Sequence, residues 1–118
     1  MHEIRLAGPW LAHASGGQQT RVTLPWQPTD WGSGRLQRRF GRPGQLDPGE
    51  RVFLVIEGLA GDATVTVNER ELFRDLKGRS IRSDITDCLV PDNQLVIAWS
   101  NHSTVGLDGP VRLEIEQP

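Results

Sequence analysis

Glycine and proline interrupt this chain so often that no long helix fits between them. Thirteen Gly and eight Pro punctuate the sequence, and the segments between them alternate apolar and polar side chains, the pattern of an all-β sandwich or barrel. No window of helical length keeps a 3.6-residue period free of Gly or Pro. About eight strands are expected: Ile4–Leu6, Arg21–Leu24, Leu36–Phe40, Arg51–Glu57, Ala63–Asn68, Glu71–Phe73, Leu95–Ser100 and Val111–Glu116. The segment RVFLVIE is apolar on both faces, so Arg51–Glu57 should be a central strand. Ala63, Val65 and Val67 should point inward with Thr64 and Thr66 outward. Val111, Leu113 and Ile115 should oppose Arg112, Glu114 and Glu116 in the same way, and Leu36, Arg38 and Phe40 should share a face. One helical turn is expected near Ile85–Leu89. The strands are too short for separate cores, so residues 1–118 read as one antiparallel two-sheet sandwich, closed over Phe53, Val65, Ile97 and Leu113.

Composition narrows the function. The 118 residues suit one domain that buries about two thirds of its unfolded surface, and fall short of the roughly 250 residues of a large barrel enzyme. A formal net charge of −2 argues against nucleic acid as partner, because phosphate binding needs a basic excess. One cysteine excludes an internal disulfide framework and a multi-cysteine zinc site. No apolar run approaches the roughly 20 residues that span a bilayer, so no membrane partner is expected. The opening MHEIRLAGPW lacks a basic head and apolar stretch, so the expected compartment is cytoplasmic. Met1 and the regular closing strand read as a complete unit. Among the basic residues, Arg35, Arg38, Arg39 and Arg42 form the one tight group. Strand alternation sends them in different directions, so a continuous patch is not expected.

Seven ordered pieces carry a family resemblance. Val22-Thr23-Leu24-Pro25 followed by Asp30-Trp31 resembles a "VxxPxxW" stretch, and Gly32–Phe40 a "GxGxYRRxF" strand. Arg51–Gly58 resembles "RVxLxFEG", Ala63–Asn68 "AxVxVNG" and Asp84–Leu89 "DITDLL". Asp92–Ile97 resembles "GxNxLxV", and Gly109–Leu113 the closing "GPVxL". Together they resemble the amino-terminal domain of family 2 glycoside hydrolases, the β-galactosidase and β-glucuronidase group. The resemblance implies a jelly-roll sandwich of the galactose-binding-like type. It also implies a non-catalytic unit, since the family's catalytic carboxylates sit on a separate barrel for which this chain has no room. Three positions depart from the pattern. Glu69 replaces the Gly after "VN", so the turn at Asn68–Arg70 is expected to differ in type. Leu36 stands where the family has an aromatic residue, and the loop before "DIT" is only Lys77–Ile81.

Candidate ligand contacts lie on loops. Sugars stack their C–H faces on exposed indoles. Trp99, in phase with Leu95 and Ile97, and Trp10, after Gly8-Pro9, are expected to be core. Trp26 and Trp31, in the Pro-rich PWQPTDW loop, are the candidate platform. The segment Ser100–Gly109 is rich in side chains that pair donors with acceptors, and Asn101, His102 and Asp108 are its candidate sugar contacts. The bland alternative for both loops is packing and local turns. No metal or cofactor is expected. A calcium site through Asp108 would need an acid cluster, which the sequence lacks, and His2, His13 and His102 share no metal spacing. Arg38 should point inward and needs a carboxylate, Asp62 or Asp84, or carbonyl partners, with a ligand-facing arginine as the alternative, and Cys88 should be a buried small apolar residue. No nucleophile elbow, phosphate loop or catalytic triad is present, so no enzyme activity is expected. Two readings stay open. One is a carbohydrate-binding module using rim loops. The other is a protein-interaction or structural module, a homodimer in its simplest form, that has lost sugar binding.

Overall fold

A computed structural model describes residues 2–6, 8–14, 19–24, 34–44, 46–60, 62–77, 80–99, 106–107 and 109–117, with backbone alone at 14, 60, 62, 74–77 and 106. The strands in chain order are β1 (His2–Arg5), β2 (Trp10–Ala14), β3 (Gln19–Val22), β4 (Gly34–Gly41), β5 (Arg51–Ile56) and β6 (Leu59–Ala60). They continue as β7 (Asp62–Val67), β8 (Arg70–Lys77), β9 (Ile81–Asp84), β10 (Asp92–Trp99), β11 (Gly106–Leu107) and β12 (Val111–Glu116). One 3-10 turn, Thr86–Cys88, falls inside the segment predicted for it. A four-stranded antiparallel sheet in the order β1-β12-β5-β9 faces a six-stranded one in the order β3-β2-β4-β10-β7-β8, and β6 pairs with β11 at the side. This is the two-sheet sandwich that the alternation requires. Among the described residues no helix is long and apolar enough to cross a membrane.

The interior follows strand phase. β10 buries Asn93, Leu95, Ile97 and Trp99, and β7 buries Ala63, Val65 and Val67. From the opposing sheet, β5 sends in Val52, Leu54 and Ile56, and β12 sends in Val111, Leu113 and Ile115. Each large apolar side chain so buried contributes about 1.5–3 kcal/mol. Trp10 is 1% exposed, and its indole N–H donates to the Leu6 carbonyl at 3.0 Å, so both its ring and its polar tip are used. Cys88 is half-buried against this core rather than fully enclosed.

Several expectations are corrected. Phe53 points outward; with both faces of β5 apolar, the pattern alone could not choose the phase. β8 runs the length of Arg70–Lys77 instead of three residues. The strands β2, β6, β9 and β11 were not foreseen, because WLAHA and IRSD hold few strong strand formers and the other two are only two residues long.

The hairpin turn between β7 and β8 keeps its left-handed backbone despite Glu69. Asn68 has φ 51° and Glu69 φ 67°, and Val67 pairs with Arg70 across them. Two central residues with positive φ are the mark of a type I′ turn, whose twist matches the flanking strands. Asn tolerates this region, whereas Glu is strained there. Replacing Glu69 with Gly is therefore expected to stabilise the fold by about 0.5–1 kcal/mol, read as a higher midpoint in urea at constant slope.

Candidate functional site

The two outer faces of the sandwich differ in what their charges do. On the four-stranded sheet they satisfy each other. Arg82 Nε lies 3.1 Å from Glu114 Oε1 and its Nη2 2.5 Å from Glu116 Oε2, while its guanidinium sits 3.7 Å above the Phe53 ring centroid. Arg112 Nε lies 3.0 Å from Glu114 Oε2 and 3.5 Å from Glu3 Oε1, and its Nη1 binds Glu57. Arg51 holds Asp84 at 2.8 Å and Asp87 at 3.4 Å. Glu114 points outward yet is only 6% exposed, because these arginines cover it.

Burial alone would raise the Glu114 carboxyl, but hydrogen bonds from Arg82 and Arg112 outweigh it and hold the group below the usual range. Asp84 likewise overcomes its desolvation through the Thr86 hydroxyl, at 2.6 Å, and Arg51. Both groups bind protons more weakly folded than unfolded. Their stabilisation is present above the ordinary carboxyl range of about 4 and is lost as pH falls through the lower folded values. The thermal midpoint is expected to drop below about pH 4, and Glu114→Gln should flatten that drop. An unchanged slope in the variant would show that Glu114 is not one of the groups responsible.

The six-stranded sheet carries outward arginines on β3 and β4. The register aligns outward residues in rows across the strands. One row runs Arg21, Leu11, Gln37, Val96 and Thr66; the next runs Gln19, His13, Arg35, Ala98 and Thr64. Arg39 stands opposite Gln94. Among the described residues no acid pairs with Arg21 or Arg35, and Arg39 meets Asp92 only at 3.9 Å with both side chains about 70% exposed. Arg35 and Arg39 thus share one face with Arg21, while Arg38 has the opposite phase on β4 and Arg42 lies beyond the strand, so the four arginines of the Arg35–Arg42 group do point in different directions. Arg38 is half-buried and its Nη1 donates to the Arg39 carbonyl; Asp84, one of its two expected partners, holds Arg51 instead.

A groove of about 430 Å³ runs along β10 on this face, lined among others by Arg35, Gln37, Arg39, Thr66, Gln94 and Val96. Gln94 and Val96 of β10 and Thr66 of β7 line it together with Arg35, Gln37 and Arg39 of β4. One end is clasped by two asparagines. Asn68 Nδ2 donates to Asn93 Oδ1 at 2.9 Å and to the Cys88 carbonyl at 2.8 Å, and its Oδ1 accepts from the Gln94 amide at 2.9 Å. Asn93 Nδ2 reaches the Val90 and Phe40 carbonyls. These amides are committed to the fold, so Gln37, Gln94, Thr66 and the arginines are the groups available to a ligand. His13 Nε2 is buried without a hydrogen-bond partner in the described residues, a group that a polar ligand or neighbouring segment would satisfy.

The sequence-predicted contacts Trp26, Trp31, Asn101, His102 and Asp108 lie outside the described residues. Their flanks are described: Gly34, where the chain leaves 25–33, pairs directly with Trp99, where it enters 100–105. Among the described residues no group of three His, Cys, Asp or Glu could hold a metal. Sequence reasoning missed Gln37, Gln94 and Arg21. Strict alternation places the two glutamines outward, but only the pairing of β3, β2 and β4 brings Arg21 to the same surface.

Solved glycoside hydrolases share this sandwich. An FMN-binding β-glucuronidase from Facaelibacterium prausnitzii L2-6 matches 98% of the chain at 27% identity and a TM-score of 0.82, over 22% of its own length. A family 2 glycosyl hydrolase from Bacteroides cellulosilyticus matches 100% at 18% identity and 0.79, over 21% of its length. A β-D-mannosidase from Dictyoglomus thermophilum matches 99% at 12% identity and 0.85, over 23% of its length. The chain therefore spans less than a quarter of each of these enzymes. No protein-family model matches it, and no curated protein does.

Proposed function

We propose that this chain, whose sandwich is like that of the amino-terminal domain of family 2 glycoside hydrolases, is a non-catalytic carbohydrate-binding module. The observation that carries the reading is the open polar groove on the six-stranded sheet. Its Gln37, Gln94, Thr66 and Arg35 offer paired donors and acceptors to sugar hydroxyls, while the opposite face has spent its charges internally. The structures named above are described as a β-glucuronidase, a family 2 glycosyl hydrolase and a β-D-mannosidase, and this chain corresponds to about a fifth of each. The proposal extends to Trp26, Trp31, Asn101 and His102 as rim contacts, since segments 25–33 and 100–105 flank the paired Gly34 and Trp99, and to Asp108, which follows β11 in the chain.

Titration calorimetry against neutral mono- and oligosaccharides is expected to give dissociation constants between ~10 μM and ~1 mM. Gln37→Ala and Trp31→Ala should each weaken the best ligand about tenfold. Absence of heat with every sugar would sink the reading. The interaction-module alternative calls for an apolar contact patch. Among the described residues the only exposed large hydrophobic side chain is Val90, at 45%, which favours the sugar reading.

A further inference from the structure

A second feature of the same face is a notch beside the start of β2. β4 outruns its pairing with β2 there: the pairing begins at Leu11 with Gln37, so Arg38, level with Trp10, and Arg39 extend past the paired stretch. The resulting cavity, about 560 Å³, is lined by Pro9, Trp10, Leu11, Arg21, Gln37, Arg38 and Arg39. That volume is within the ~300–1,000 Å³ of small-molecule sites. Among the described residues that line it are three arginines and no acid, in a chain whose formal net charge is −2. A chance excess of basic residues is therefore no explanation for the concentration. The Arg38 guanidinium is fixed to the wall by its bond to the Arg39 carbonyl. Trp10 is too enclosed to stack and its N–H is engaged, so the apolar contact comes from the exposed Pro9 ring and the half-buried Leu11.

We infer that this notch is an oxyanion subsite, giving the module a preference for saccharides that carry a carboxylate or a sulfate. Arginine suits this task because its planar fork donates two parallel hydrogen bonds to either anion. The pyranose of the same ligand rests its C–H face on Pro9 and Leu11. This rests on the carbohydrate-binding reading and adds a charge requirement to it.

The test is calorimetry at low salt with a neutral disaccharide, a uronate-containing disaccharide, a sulfated disaccharide and inorganic sulfate. Both charged sugars are expected to bind about tenfold more tightly than the neutral one, and Arg21→Met, with its fold checked by circular dichroism, should narrow that gap. A gain for only one of the two charged sugars supports the subsite and identifies its anion. Equal affinity for neutral and charged sugars overturns the subsite and leaves the carbohydrate reading standing. Inorganic sulfate bound as tightly as the charged sugars supports an oxyanion site and counts against the carbohydrate reading. No heat from any probe overturns both.

Discussion

Asn93→Ala is expected to lower the unfolding free energy by about 3–4 kcal/mol, a large share of what a domain of this size has. Asn93 is polar at an inward position, in phase with Leu95 and Ile97, and is 1% exposed. It is tolerated because every capacity of its amide is used. Nδ2 donates to the Val90 carbonyl at 2.8 Å and to the Phe40 carbonyl at 3.3 Å, and Oδ1 accepts from the Val90 amide at 2.8 Å and from Asn68 at 2.9 Å. One side chain thus ties β4, the segment after the 3-10 turn, and the β7–β8 turn to the start of β10. Alanine removes all four bonds and leaves the Phe40 carbonyl facing a small cavity. The Val90 groups can recover water, because Val90 is exposed, so the cost stays below the sum of four buried losses. Urea unfolding would show a lower midpoint at constant slope. Asn93→Asp separates polarity from size. It keeps the shape but places a carboxylate against two carbonyls, which raises its folded pKa. Its deficit should shrink as pH falls, because the protonated acid can donate again and the raised folded value favours the fold below the unfolded pKa. A loss under 1 kcal/mol for the alanine variant would mean that the clasp is dispensable.

The same residue shows how much of this molecule was legible in advance. Strand phase placed Ala63, Val65, Val67, Leu95, Ile97, Trp99, Val111, Leu113 and Ile115 correctly, because β7 and β12 each have one greasy and one polar face and the largest side chains of β10 share one phase. The same phase puts Asn93 inside, a signal present in the sequence and readable as a demand for partners. Phe53 was placed wrongly for a physical reason: its outward position is apolar too, roofed by Arg82. The polar edge strand β9 was illegible, since its pairing with β5 rather than its composition makes it a strand. The open arginine surface needed knowledge of which strands are neighbours. Arg35 and Arg39 have matching phase, but Arg21 reaches them only through β2. The rim contacts were chosen on loop composition alone, which specifies chemistry without position.

Two glycine-to-alanine changes should separate by about 3 kcal/mol, although the chemistry added is the same methyl group. A Cβ on Gly109 would stand 2.6 Å from the carbonyl carbon of Glu57 and closer still to its oxygen. Those are backbone atoms, so no rotamer change can relieve the clash. The approach is close because the strand ends are laced there: the Glu57 amide donates to the Pro110 carbonyl at 3.1 Å, Val111 pairs with Ile56, and the Arg112 guanidinium holds the Glu57 carboxylate. Making room means pushing β12 away from β5 at the point where both enter the core, which loosens Val111 and Ile56 together. A cost of about 3 kcal/mol follows from overpacking of this kind. Gly41, at the end of β4, has nothing within 4 Å of the equivalent methyl position. Gly41→Ala should be neutral or gain a few tenths of a kcal/mol, because the unfolded chain loses freedom and the fold loses nothing. Parallel urea titrations of the two variants test the close approach directly. If Gly109→Ala unfolds at the same midpoint as Gly41→Ala, β5 and β12 are not held as tightly at this end as the lacing requires.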